Sequence, residues 1–178
     1  MGSTHKCNII YVEDDRKHRT IAAGLLSKRY GHNVIGYRDL ATLRSDDESG
    51  HLAARMQPEL PLVVLLDIML AVDLGETQGS APRWPREKTP DEGDLEHYVD
   101  DELGMKIAED IRDNRFTSIP PLTPIVFVTA RSNELVRERI AAIGTRAPAI
   151  WLGKPAFMED LQEAIEQVLK HPHRRGRP

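Results

Sequence analysis

Five short apolar runs divide this chain, and the stretches between them are too long to be hairpin turns. The runs are CNIIYV (7–12), NVIGY (33–37), LVVLL (62–66), PIVFVT (124–129) and AIWL (149–152). All are short and rich in β-branched or aromatic residues, which marks them as strands. The intervening segments carry apolar residues at helical spacing: Ile21, Ala22, Leu25 and Leu26, then Ile107, Ala108 and Ile111, then Val136, Ile140 and Ile143, and finally Phe157, Leu161, Ile165 and Val168. A single stripe of this kind covers one face of a sheet. The second helical segment is interrupted by RSDDESG (44–50), and the expectation is that it splits there. Parallel neighbours need crossover connections, so strict strand–helix alternation predicts an α/β fold with a five-stranded parallel sheet, doubly wound by helices on both faces. Strands that are apolar throughout fit burial on both sides.

In open sheets of this type, ligands bind beyond the carboxyl ends of the strands. The chemistry-bearing residues of this sequence collect at those ends. Glu13, Asp14 and Asp15 follow the first strand, Asp67 closes the third, Thr129 ends the fourth, and Lys154 and Pro155 follow the fifth. If strands one and three are neighbours, about 4.8 Å apart, Asp14 and Asp67 converge. Two carboxylates so placed repel unless a cation sits between them. Magnesium answers that need, since it takes one or two carboxylates together with waters and phosphate oxygens. Lys154 could then pair with a carboxylate or phosphate, and the Thr129 hydroxyl could donate to a phosphoryl oxygen. Plainer roles compete: Asp15 reads better as the N-cap of the first helix than as a metal ligand, and Thr129 could satisfy a local backbone group.

Several function classes are disfavoured by composition. No apolar run approaches the roughly 20 residues that span a bilayer, and the N-terminus lacks the apolar stretch of a secretory signal, so no membrane insertion and a cytoplasmic location are expected. With Cys7 as the sole cysteine, a disulfide framework is impossible, and Cys7 reads as a small apolar residue entering a strand. A formal net charge of −4 argues against general nucleic-acid binding.

The segments IIYVEDD, VVLLDIML, PIVFVTAR and WLGKP, in that order and at strand ends, resemble the receiver domain of bacterial two-component response regulators. The resemblance covers all but about 71–102 and the last eight residues. It implies a flavodoxin-like sheet of strand order 2-1-3-4-5. It further implies that Asp67 accepts a phosphoryl group from a sensor histidine kinase or phosphotransfer protein. Magnesium would be held by Asp14, Asp67 and the Met69 backbone carbonyl, with Glu13 acting through water. Lys154 and Thr129 would bond the phosphoryl oxygens, and Trp151 stands where the family carries its switch aromatic, although it also reads as an ordinary half-buried strand residue. A switched surface of this kind addresses a downstream protein that the sequence does not identify, and receivers often form homodimers. No enzymatic turnover is implied beyond self-phosphorylation and slow dephosphorylation.

The chain departs from the family in its middle. Between the third strand and the third helix, residues 71–102 carry ten acids and three bases, a net of −7, so the remainder of the chain is +3. Rich in Pro, Gly and charge, this insertion argues against a second packed domain, with Trp84, Leu95, Tyr98 and Val99 as its few possible anchors. Either it is a solvated loop, or it filters access to the acidic pocket. One receiver domain over 5–170, with a basic tail at 171–178 too short for an output domain, is therefore expected, which suggests a stand-alone receiver. Two rivals remain. A phosphorylation-independent pseudo-receiver is disfavoured by the presence of Asp14, Asp67, Thr129 and Lys154, and an aspartyl phosphohydrolase by Met69 standing where that class carries a second acid.

Overall fold

In the computed structural model, residues 5–68, 70–71, 99–100, 103–130, 134–154 and 156–170 are described. The strands are β1 (Asn8–Val12), β2 (Asn33–Tyr37), β3 (Leu62–Leu66), β4 (Leu70–Ala71), β5 (Val99–Asp100), β6 (Ile125–Thr129) and β7 (Ala149–Gly153). The helices are α1 (Arg16–Tyr30), α2 (Leu40–Glu48), α3 (His51–Arg55), α4 (Leu103–Arg112), α5 (Glu134–Gly144) and α6 (Met158–Lys170).

Five strands form one parallel sheet in the order β2-β1-β3-β6-β7, which is 2-1-3-4-5 when only that sheet's strands are counted. The order reverses between β1 and β3, so the crevice falls at their carboxyl ends. Alternation along β3 explains its unbroken apolar run. Val63 and Leu65 face a core layer closed by Ala22 and Leu26 of α1 and Leu161, Ala164, Ile165 and Val168 of α6. On the other side, Val64 and Leu66 face a layer closed by α2, α3, α4 and α5. The register is set at the end of the run, because a slip of one residue would carry Asp67 into the place of Leu66, between two apolar layers.

Local signals set the helix ends. The Asp15 carboxylate accepts from His18 N–H at 2.9 Å and caps α1, as the N-cap reading expected. Gly31, at φ 76°, closes the same helix in a left-handed conformation that glycine adopts without strain. The second helix is split within RSDDESG, as expected, at the end of that segment. Residues 44–48 continue α2, and the break falls at Ser49 and at Gly50, whose φ is 78°. The acidic run stays helical because Asp47 is buried and accepts from Thr117 N–H (2.6 Å) and Ser118 N–H (2.7 Å), so tertiary bonding overrides its turn preference. The helix after the insertion is consequently the fourth.

At the floor of the sheet, Cys7 is buried just before β1. Its N–H donates to His32 Nδ1 at 3.2 Å, and its sulfur lies 3.3 Å from that nitrogen. His32 Nδ1 must accept, so Nε2 carries the proton and donates to Gln162 Oε1 at 2.8 Å. Burial pushes the Cys7 thiol up to about 12, so a nucleophilic Cys–His pair is not what this contact provides. Among the described residues, every buried side-chain nitrogen and oxygen has a hydrogen-bond partner.

Of the insertion, only the antiparallel pairing of Leu70 with Asp100 and Ala71 with Val99 is described. Residues 72–98 and 101–102, with Trp84, Leu95 and Tyr98, lie outside the described residues, as does the tail 171–178. No described helix is long and apolar enough to cross a membrane.

Candidate functional site

The acidic site is built by register. Parallel pairing sets Val12 beside Leu66, so the residues just beyond them emerge together. Asp67 N–H then bonds Val12 carbonyl oxygen at 3.0 Å, extending the ladder one step into the crevice. The result is a cluster of Glu13, Asp14 and Asp67 in which one carboxylate oxygen from each lies within 4.8 Å of the others. Glu13 and Asp67 are buried, while Asp14 is half-buried.

Lys154 enters from the far side of the sheet. β7 pairs with β6 so that Thr129 stands opposite Gly153, and Lys154 N–H donates to Thr129 carbonyl oxygen at 2.9 Å. From there its ammonium bridges two acids, with Nζ 2.6 Å from Asp67 Oδ2 and 2.9 Å from Glu13 Oε2. Burial works against the Lys154 charge, but hydrogen bonds and attraction from Asp67 and Glu13 outweigh it and raise its pKa above the ordinary lysine value. Burial also raises the Glu13 carboxyl, against the lowering pull of Lys154. Charge in this pocket is thus held by mutual neutralisation.

Two residues that sequence reasoning overlooked complete the cluster. Tyr11, two positions before Glu13 and on the same side of β1, donates its hydroxyl to Glu13 Oε2 at 3.2 Å. Burial and then the neighbouring Glu13 charge push its phenol far up, so it remains a donor. The period-two spacing of Tyr11 and Glu13 was the available signal. Gly104, in the first turn of α4, lies against the peptide that follows Asp67. A Cβ there would fall 2.0 Å from Asp67 carbonyl oxygen and 2.7 Å from Ile68 Cα, and Gly104 N–H donates to Ile68 carbonyl oxygen at 3.2 Å. Glycine alone permits that approach.

Of the predicted site residues, Glu13, Asp14, Asp67 and Lys154 are brought together. Thr129 is fully buried at the end of β6, beside the Lys154 strand exit. Trp151 sits apart on β7. It is half-buried, packs on the core layer shared with α5, and has the Arg137 guanidinium 5.1 Å from its ring centre. Met69 and Pro155 lie outside the described residues.

The donor set suits a hard divalent cation: carboxylate oxygens only, from three residues, converging at strand ends. One wall of the pocket opens into a cavity of about 490 Å³ bounded by Tyr11, Glu13, Ile21, Val128, Lys154 and Leu161.

No protein-family profile matches the chain, and a search of curated proteins finds no relative. Solved structures do resemble it. Chemotaxis protein CheY4 of Vibrio cholerae superposes with a TM-score of 0.55 at 17% identity, covering 92% of this chain and 98% of that one. The BeF3-activated N-terminal receiver domain of Klebsiella pneumoniae RstA gives 0.54 at 19% identity, over 92% and 98%. Response regulator DrrB of Thermotoga maritima, an OmpR/PhoB homologue, gives 0.56 at 17% identity, over 93% of this chain and 54% of DrrB, so the chain spans about half of that protein's length. The chain has the fold of response regulator receiver domains.

Proposed function

We propose that this chain is a phosphoacceptor receiver of a two-component signalling pathway, with Asp67 as the acceptor. The observation that carries the reading is the Lys154 ammonium held 2.6 Å from Asp67 and 2.9 Å from Glu13, within a carboxylate cluster at the point where strand order reverses. An Asp67 oxygen would attack phosphorus, the bond from phosphorus to the donor nitrogen or oxygen would break, and the donor would leave with that electron pair. The product is an acyl phosphate on Asp67.

Asp14 and Asp67, with Glu13 acting through water, are the residues that would hold magnesium. When bound, the ion supplies charge neutralisation for the transferring group. Lys154 has a further task. Its bond to Asp67 is to an oxygen that the phosphoryl group would compete for, so after transfer the ammonium is placed to follow the new charge, leaving Glu13 to its bond from Tyr11. Thr129, at the next strand end, is assigned the second phosphoryl contact, and Trp151 the reporting of that change toward α5. Adding roughly −1.5 to −2 charge at one buried point is the kind of change that biases a two-state surface. The natural donor is a sensor histidine kinase or phosphotransfer protein, the setting is cytoplasmic, and the switched surface serves a downstream protein or a second copy of the chain. Turnover beyond self-phosphorylation and slow loss of phosphate is not part of this reading.

The test is incubation with magnesium and acetyl phosphate, read by intact mass beside Asp67→Asn. A magnesium-dependent gain of one phosphoryl group, lost in the variant, is expected. A folded protein that gains none would instead favour a module that binds partners without phosphorylation.

A further inference from the structure

The turn that carries Glu13 and Asp14 has only three residues between β1 and α1, and its geometry is imposed from outside. Glu13 N–H donates to Tyr37 carbonyl oxygen at 3.1 Å, and Asp15 N–H lies 2.9 Å from Asp14 Oδ1 and 3.3 Å from Glu13 Oε1. The carbonyl side of the turn is gripped by Arg19. Arg19 is held in the first turns of α1, where its N–H bonds Asp15 carbonyl oxygen at 2.9 Å. Its side chain turns back, and Nη1 donates both to Glu13 carbonyl oxygen and to Asp14 carbonyl oxygen, the latter at 3.2 Å. One guanidinium therefore ties the two peptides whose residues supply two of the three clustered carboxylates.

The stem of Arg19 needs room to do this, and β2 supplies it at Gly36. An ideal Cβ on Gly36 would stand 3.2 Å from Arg19 Cγ and 3.3 Å from Cδ, tighter than ordinary contact. Gly36 is otherwise an exposed strand position opposite Tyr11, where a β-branched residue would suit the strand better.

We propose that Arg19 is a positioning residue for the cation site: by holding the carbonyls of Glu13 and Asp14 it sets where their carboxylates stand. The inference rests on the phosphoacceptor reading above. It also makes a signed prediction, because the two roles available to a cation at this place oppose one another. If Arg19 acted through charge alone, removing it would leave the acids less compensated and tighten divalent-cation binding. If it acts by position, removing it weakens binding, since groups that orient metal ligands typically contribute roughly 10- to 100-fold in affinity.

The experiment uses the full chain. The magnesium concentration giving half-maximal labelling by acetyl phosphate is measured by intact mass, and magnesium binding is measured directly by calorimetry, for wild type, Arg19→Ala, Arg19→Lys and Gly36→Val. Arg19→Ala should raise the half-saturating concentration roughly 10-fold, with labelling at saturating magnesium within about 2-fold of wild type. Arg19→Lys, which keeps the charge and can reach one carbonyl, should restore part of the loss. Gly36→Val, which keeps the guanidinium but displaces its stem, should raise the concentration without lowering the urea midpoint. An unchanged or lowered half-saturating concentration in Arg19→Ala overturns the proposal, as does a loss confined to the labelling plateau and matched by a fall in urea midpoint. Wild type that binds no magnesium overturns the phosphoacceptor reading and this inference together, whereas wild type that binds beside an unaltered Arg19→Ala overturns only the latter.

Discussion

Gly104→Ala sets two physical effects against each other at the centre of the proposed site. In a helix, replacing glycine by alanine is favourable by up to about 1 kcal/mol through backbone entropy alone. Gly104 is the second residue of α4, so propensity by itself predicts a more stable protein. Contact predicts the reverse. The new methyl would start 2.0 Å from Asp67 carbonyl oxygen, 2.7 Å from Ile68 Cα and 2.8 Å from Asp67 carbonyl carbon. All three are backbone atoms, so no rotamer change relieves the clash, and either α4 or the Asp67–Ile68 peptide must retreat by about 1 Å to restore a tolerable contact. Overpacking of this kind costs about 1–3 kcal/mol, which outweighs the propensity gain. The same retreat would strain the 2.6 Å bond from Lys154 to Asp67, and a misplacement of about 1 Å in a reacting group can slow a reaction about 100-fold. Urea unfolding followed by circular dichroism should show a lower midpoint with an unchanged slope, and the initial rate of labelling by acetyl phosphate should fall by one to two orders of magnitude. A variant as stable as wild type, labelled at the wild-type rate, would refute the steric argument.

Three further outcomes follow from contacts elsewhere. Arg112 is buried and donates to the carbonyl oxygens of Pro121 and Thr123, each at 2.8 Å, of Ile143 at 3.3 Å and of Ala147 at 3.4 Å. Arg112→Met should therefore cost about 3 kcal/mol in urea denaturation, because it strips buried acceptors of their donor; a loss below about 1 kcal/mol would mean the loops around β6 and β7 close without it. Asp39 caps α2 through Thr42 N–H at 2.8 Å. Burial tends to raise its pKa, but the bonds from Thr42 and Arg38 prevail and leave it lowered. Its stabilisation is then complete above the ordinary aspartate value near 3.8 and is lost as pH falls through the lowered folded value. Asp39→Ala should cost about 1 kcal/mol at neutral pH, and the gap from wild type should narrow only below about pH 4; a gap that stays constant down to about pH 2 would exclude the charged cap. Lys154→Met leaves Asp67 and Glu13 facing each other without their shared ammonium, so its melting temperature should fall in the absence of divalent cations and recover more than that of wild type when magnesium is added. Equal magnesium responses would separate Lys154 from the cation site.

The strands of the five-stranded sheet were legible because their burial on both faces writes itself into unbroken apolar runs, and each of these five falls within one residue of its predicted bounds, whereas the short β4–β5 pairing was not foreseen. Glu13, Asp14, Asp67 and Lys154 were legible for a related reason: a charge at the end of such a run must lie where the sheet ends. Strand order came from resemblance, since periodicity carries no record of which neighbour a strand chooses. The split within 44–50 was legible but its exact position was not, because the residues at 44–48 prefer turns locally, while Asp47 is satisfied by Thr117 and Ser118, some 70 positions away. Gly104 was invisible for the same reason. In LGMKIAEDIR it looks like a mild helix defect, and only the approach of α4 to the Asp67 peptide reveals that a side chain there has no space. Arg112 likewise reads as a helix-surface charge until the loops that surround it are in place.

The burial of Cys7 gives the protein a built-in clock. It is the chain's sole thiol, shielded at the base of the sheet and held in its unreactive form by that burial. A small thiol reagent can reach it only when the start of β1 parts from His32 and α6, so its modification rate under native conditions reports opening at the base of the sheet rather than fraying at the crevice. A cysteine introduced on any exposed surface would react much faster and could carry a spectroscopic label without first removing the native one. Motions of the acidic end can thereby be followed with one probe while the unreacted thiol at the opposite end reports that the base of the sheet has stayed closed.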